Sequence, residues 1–120
     1  MGALCGKYIK KCTLELGGSD PFIVTDDVDV TATAKLAVAG RLKNSGQVCI
    51  SAKRILVHEN VYDQFKQELL TEIQTYKVGD PMDESTKVGP LARKDLLEGL
   101  KSQVRRAIDD GCEVTYGDTD

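Results

Sequence analysis

Apolar positions recur at intervals of three and four along three stretches of the chain, and each stretch predicts an amphipathic helix. The first runs from Asp29 to about Lys43, with Val30, Ala34, Ala37 or Val38, and Arg41 on one face. That face is rich in alanine, so the helix is expected to lie close to its neighbours. The second follows Asn60 and reaches about Tyr76, its stripe made by Val61, Tyr62, Phe65, Leu69, Ile73 and Tyr76. Asn60 is the expected cap, with Asp63 placed like the partner in a capping box. The third spans about Arg93 to Asp110, with Leu96, Leu100, Val104, Ala107 and Ile108 along one side and Gly111 as its C-cap. Residues 1 to 11 read as the end of a further helix. Leu4, Tyr8 and Ile9 share its apolar side, Lys7, Lys10 and Lys11 the other, and no N-cap precedes them.

Elsewhere the apolar runs are short or alternate. Cys12-Thr13-Leu14-Glu15-Leu16 alternates and predicts a strand; Gly17-Gly18-Ser19-Asp20-Pro21 then turns the chain. Phe22-Ile23-Val24 suits a buried strand, Arg54 to His58 a third, and Glu113 to Tyr116 a fourth. Proline and glycine punctuate an ordered loop from Val78 to Pro90. The order strand, strand, helix, strand, helix, helix, strand predicts an α/β fold with a partly parallel sheet flanked by helices.

Composition narrows the function classes. The 120 residues suit one domain, with 41% hydrophobic and 29% charged residues, as in globular proteins and unlike disordered ones. A net charge of −3 gives no basic footprint for nucleic acid or anionic membrane. No apolar run approaches the length of a membrane span, and the start lacks the apolar core of a signal peptide. The four cysteines (Cys5, Cys12, Cys49, Cys112) form no Cys-x-x-Cys pair and have no histidine at ligand spacing. Reduced thiols and a cytoplasmic compartment are the expectation, two disulfides the alternative.

Two residues carry candidate chemistry. Asn44-Ser45-Gly46 should stop the first long helix in a turn, and Cys49 follows it, with small Ser51 and Ala52 beyond. A thiol on such a turn is reachable by a small molecule and lies near backbone N–H groups that favour a thiolate. A small buried hydrophobe is the plainer reading of the same cysteine. Glu15 ends the alternating strand before the Gly17-Gly18 pair. It reads equally as an edge carboxylate facing water or as a half-buried general base beside glycines that admit a planar ligand. His58, the only histidine, stands nine residues of extended chain beyond Cys49 and is not expected to serve it as a base. Asp26-Asp27-Val28-Asp29 reads as a helix start, since the glycine and closing glutamate of a calcium loop are absent.

Three blocks, in order, resemble the aldehyde dehydrogenase superfamily across essentially all of the chain. They are Leu14-Glu15-Leu16-Gly17-Gly18, Asn44-Ser45-Gly46-Gln47-Val48-Cys49, and Lys77-Val78-Gly79-Asp80-Pro81 through Gly89-Pro90-Leu91. The glutamate and cysteine stand 34 residues apart, the family's usual gap. Leu42 and Lys43 stand where the family commonly has an aromatic residue. Ser19 to Val24, Cys49 to Arg54 and Gly6-Lys7-Tyr8 are most similar to the bacterial succinate-semialdehyde dehydrogenase branch.

The resemblance implies oxidation of an aldehyde, such as a semialdehyde, to its acid through a thioester on Cys49. Glu15 would activate water, and Leu16 and Gly17 would lie beside the nicotinamide of NAD or NADP; no metal is implied. Residues 1–120 would then be the front part of the catalytic domain, with 1–11 the remnant of the helix leaving the cofactor domain. Family members are about four times as long and homo-oligomeric, so this chain is expected to be inactive alone or to need a complementary chain. An NAD-independent Cys-dependent esterase and a non-catalytic fragment of a truncated or split gene are the other readings.

Overall fold

The computed structural model describes residues 1–117. Its elements are α1 (Gly2–Lys7), β1 (Asp20–Val24), α2 (Val30–Leu42), β2 (Ala52–Val57), α3 (Tyr62–Ile73) and α4 (Lys94–Asp109). The expected α/β class holds: β1 and β2 pair in parallel, joined by the α2 crossover. Phe22 lies opposite Ile55 and Val24 opposite Val57, with an irregularity between Asp20 and Pro21.

Strand alternation sends Phe22, Val24, Ile55 and Val57 to one face, where they meet Val30, Ala34 and Ala37 of α2 and Phe65 and Leu69 of α3. Val24, Ala34, Ala37, Val38 and Phe65 are buried. The alanines do what their size predicts, since α2 packs closely on α3. Burying Phe65 contributes roughly 2–3 kcal/mol of transfer free energy. The helices cover only one face of the sheet, not both. On the other, Ile23 is 67% and Leu56 50% exposed.

Helix boundaries follow local chemistry. Asp29 Oδ1 accepts from Ala32 N–H at 3.0 Å and caps α2. At the far end Asn44, Ser45 and Gly46 take left-handed φ values of 51°, 56° and 76°, and the helix stops there. α4 ends in a Schellman arrangement: Cys112 N–H donates to Ala107 O and Gly111 N–H to Ile108 O, both at 2.9 Å. Gly111, at φ 94°, is the expected cap.

Four expectations fail. Cys12–Leu16 forms no strand: β1 pairs only with β2, so nothing offers those residues a backbone ladder, and all five are exposed. Glu113–Tyr116 is likewise irregular, although Thr115 and Tyr116 lie against Ile55, Val57 and α3 around a cavity of about 230 Å³. Asn60 does not cap α3. His58 Nδ1 accepts from Asn60 N–H, Asn60 Nδ2 donates to Asp26 Oδ2 at 3.0 Å, and a 3-10 turn over Glu59–Val61 leads into the helix. The helix stops at Ile73, and Thr75 and Tyr76 continue only as single turns.

The loop from Val78 to Pro90 is ordered, as expected. Val78 and Val88 form a parallel bridge, and Lys77 Nζ donates to Asp83 Oδ2 and Ser85 Oγ, both at 2.7 Å. α4 stands apart, with no buried residue and its leucine stripe in contact with solvent. Among the described residues no helix is long and apolar enough to cross a membrane.

Candidate active site

Parallel pairing places the start of β1 beside the start of β2, so the segments entering them arrive at the same end of the sheet. One carries Glu15, Leu16, Gly17 and Gly18; the other carries Cys49. Two contacts join them. Arg54 Nε donates to Ser19 O at 3.0 Å. A methyl built on Gly18 would stand 3.3 Å from the Cys49 carbonyl oxygen, so a side chain there would press on the cysteine backbone. Gly17 has no neighbour within 4 Å of such a methyl, and its open side is free for a flat group to approach.

The residues before Cys49 hold the turn together. Asn44 Nδ2 donates to Gln47 O, and Gln47 Nε2 returns a bond to Asn44 O at 3.1 Å. Arg41 Nη1 donates to Gly46 O at 3.2 Å. Ser45 Oγ donates to Gly89 O, and Gln47 Oε1 accepts from Ala92 N–H, both at 2.8 Å. The second and third sequence blocks are therefore physically linked. Beyond the cysteine, Lys53 Nζ donates to the carbonyls of Val48, Cys49 and Ser51 at 3.2–3.3 Å. Ser51, fully buried, donates from Oγ to Gly40 O.

Cys49 is exposed, which removes the reading of a buried small hydrophobe. Its backbone N–H has no acceptor among the described residues. Glu15 is also exposed, not half-buried, because the strand expected to hold it is absent. No hydrogen bond joins its carboxylate to the thiol among the described residues. The structure thus brings the two backbone segments together and leaves the two side chains in solvent. His58 sits just past the opposite end of β2, occupied by Asn60 N–H and 3.9 Å from Asp26, and is no partner for Cys49. All four cysteines are free in this structure. No cluster of metal-ligating residues occurs among the described residues.

The sequence places Arg41 on a helix face and Ser51 as a small neighbour of Cys49, but gives neither of them, nor Lys53, a role in holding the turn. Their spacing from Cys49 carries no periodic signal; only the fold shows a guanidinium and an ammonium gathering the carbonyls of the turn.

A parallel β-α-β unit with a cysteine turn and a glycine pair meeting at one sheet end narrows the class. The aldehyde dehydrogenase family model matches residues 1–120, and the chain belongs to the aldehyde dehydrogenase family. A succinate-semialdehyde dehydrogenase (NADP(+)) of Deinococcus radiodurans is 48% identical over 114 residues, covering 95% of this chain and 24% of that protein. The succinate semialdehyde dehydrogenase (NAD(P)+) Sad of Escherichia coli K12 is 44% identical over 117 residues, covering 98% and 25%. Among solved structures, a succinate-semialdehyde dehydrogenase from Burkholderia pseudomallei superposes with a TM-score of 0.89 at 36% identity, covering 97% of this chain and 24% of that one. Lactaldehyde dehydrogenase from Escherichia coli gives 0.91 at 39%, with the same coverage. The chain spans about a quarter of the length of the relatives it matches.

Proposed function

We propose that this chain supplies the nucleophile and general base of an aldehyde dehydrogenase acting on a semialdehyde such as succinate semialdehyde with NAD or NADP. It works in the cytoplasm, with a complementary polypeptide providing the rest of the fold. Residues 1–120 are the front part of the catalytic domain, and 1–11 are the tail of the helix leaving the cofactor domain. The observation that carries this reading is the meeting of the Gly17-Gly18 segment with the Cys49 turn at one end of paired parallel strands. The substrate and cofactor are inferred from the names of the relatives.

The residues fit the nicotinamide end of the cofactor. Gly17 is open on the side a methyl would fill, and Leu16 is 73% exposed beside it. A bound nicotinamide would supply the two-electron acceptor.

The chain's own residues do the rest. The Cys49 thiolate attacks the aldehyde carbon, and the Cys49 N–H, which has no acceptor among the described residues, donates to the resulting oxyanion. Lys53, Arg41 and the Asn44–Gln47 bonds fix the turn, so the nucleophile pays little reorganisation on reaction. After oxidation a thioester remains on Cys49. Glu15 takes a proton from water as the water attacks that thioester, releasing the acid and the Cys49 thiolate.

The test is co-expression with the flanking segments of the Deinococcus relative, followed by assay of cofactor reduction with succinate semialdehyde. Cys49→Ala should lower the rate by about a thousandfold or more. Glu15→Gln should give one rapid turnover per Cys49 and then stall at the thioester. A Cys49→Ala complex that retains its rate refutes the assignment. A p-nitrophenyl ester cleaved by the chain alone, at a rate lost in Cys49→Ala, would favour the esterase.

A further inference from the structure

The peptide joining Val48 to Cys49 is held by its carbonyl alone. Val48 O accepts two bonds, from Ser51 N–H at 3.0 Å and from Lys53 Nζ at 3.3 Å. The N–H of the same peptide, that of Cys49, has no acceptor among the described residues. The peptide is trans and planar, so its N–H points away from its carbonyl, and fixing one aims the other. Two donors on the oxygen also polarise the peptide and strengthen its N–H as a donor.

Lys53 is placed for this work. It is the second residue of β2, so its side chain springs from a paired strand. Its ammonium also reaches Cys49 O at 3.2 Å and Ser51 O at 3.3 Å, so each of its protons has a carbonyl partner. Among the described residues no carboxylate forms an ion pair with it. An ammonium so occupied has no donor left for the carboxylate of a semialdehyde.

We infer that Lys53 is a positioning residue for the reaction at Cys49: its ammonium clamps the carbonyls of the turn and so presents the Cys49 N–H as an aimed, polarised donor to the oxyanion. The oxyanion belongs to the function proposed above, so the role rests on that reading; the clamp is a property of the turn itself. Its effect falls on the step in which negative charge develops, not on the affinity for substrate.

The test has two arms. In the purified chain, labelled with carbon-13 and nitrogen-15, the carbonyl carbons of Val48, Cys49 and Ser51 report the clamp by NMR, because a carbonyl that loses a hydrogen bond shifts to lower frequency. Lys53→Met should move all three that way, and Lys53→Arg, which keeps a charged donor, should hold them nearer their original positions. In the complemented enzyme described above, Lys53→Met should lower kcat and kcat/KM alike, by about tenfold or more, with Lys53→Arg recovering part of the loss. The fall should be the same for succinate semialdehyde and for butyraldehyde, which has no carboxylate. Unmoved carbonyls in Lys53→Met would overturn the clamp, and moved carbonyls with an unchanged kcat would overturn its part in the reaction. A raised KM confined to succinate semialdehyde would overturn the inference as well, making Lys53 a substrate ligand. Moved carbonyls beside a Cys49→Ala enzyme that keeps its rate would refute the proposed function and leave the clamp standing.

Discussion

Replacing Gly46 by alanine tests whether the turn before Cys49 is held by its backbone. Gly46 lies at φ +76°, where a side chain costs about 1 kcal/mol or more. The new methyl would stand 2.7 Å from Arg41 Nη1. That atom is the far end of a flexible side chain and can swing aside, so the clash itself adds little. What goes with it is the 3.2 Å bond from Arg41 to Gly46 O, a partly buried charged contact of about 1 kcal/mol. The sum is about 2 kcal/mol, roughly a thirtyfold fall in the folding equilibrium.

The assay is a denaturant titration followed by circular dichroism, since the chain has no tryptophan. Gly40→Ala is the matched control. Gly40 lies inside α2 at ordinary φ with nothing within 4 Å of a new methyl, so the same substitution should stabilise by about 0.5–1 kcal/mol. Cys49 labelling, in a background where the other three cysteines are serine, should change rate in Gly46→Ala and not in Gly40→Ala. Stability changes of the same sign in both variants, or unchanged Cys49 labelling in Gly46→Ala, would refute the reasoning.

Phe65→Ala empties the centre of the α2–α3–sheet core and should cost about 3–5 kcal/mol, enough to abolish the cooperative thermal transition. Thr86 Oγ1 is buried without a partner, so Thr86→Val should be neutral or stabilising by up to about 1 kcal/mol in the same titration. The Lys77 ammonium, then the Ser85 N–H and hydroxyl, hold Asp83 below its ordinary value of 3.8. A depressed carboxylate contributes stability that is present above the unfolded value and lost as pH falls through the folded one. Acid titration of the 77–88 loop by NMR should therefore show order lost below pH 3.8, with a weaker acid dependence in Lys77→Met.

Much of this was legible in the residues because local chemistry decides it. The left-handed Asn44-Ser45-Gly46 stop, the Asp29 cap and the Gly111 Schellman end each follow from side chains within a few positions. The strands at Cys12–Leu16 and Glu113–Tyr116 failed for the opposite reason. Alternation marks a segment able to join a sheet, but a strand exists only when a neighbour supplies the ladder, and β1 and β2 bond only to each other. Asn60 does not act as the cap because its groups are engaged elsewhere: its N–H goes to His58 Nδ1 and its side-chain amide to Asp26 Oδ2. Cys49 and Glu15 stand out as candidates in the residues themselves and take their roles from the resemblance, whereas Lys53 and Arg41 need the fold.

The same want of neighbours bears on function. The chain exposes 9239 Å², against roughly 6,400 Å² for a compact protein of its 13.1 kDa mass. Its radius of gyration is 17.6 Å, where about 13.6 Å is usual for this length. The excess of about 2,800 Å² exceeds what one partner contributes to an interface of standard size, about 800 Å². α1, residues 8–19 and α4 among them bury no residue. Residues 8–19 include Glu15, and Cys49 is exposed beside them. Electrostatic stabilisation of an oxyanion depends on excluding water, and nothing described here excludes it from Cys49. A surface that covers α1 would also close over the 8–19 segment, since Leu14 lies against Gly2. Folding and catalysis therefore make the same demand on the parts of the fold beyond these residues, which is why restoring them is the decisive assay for both.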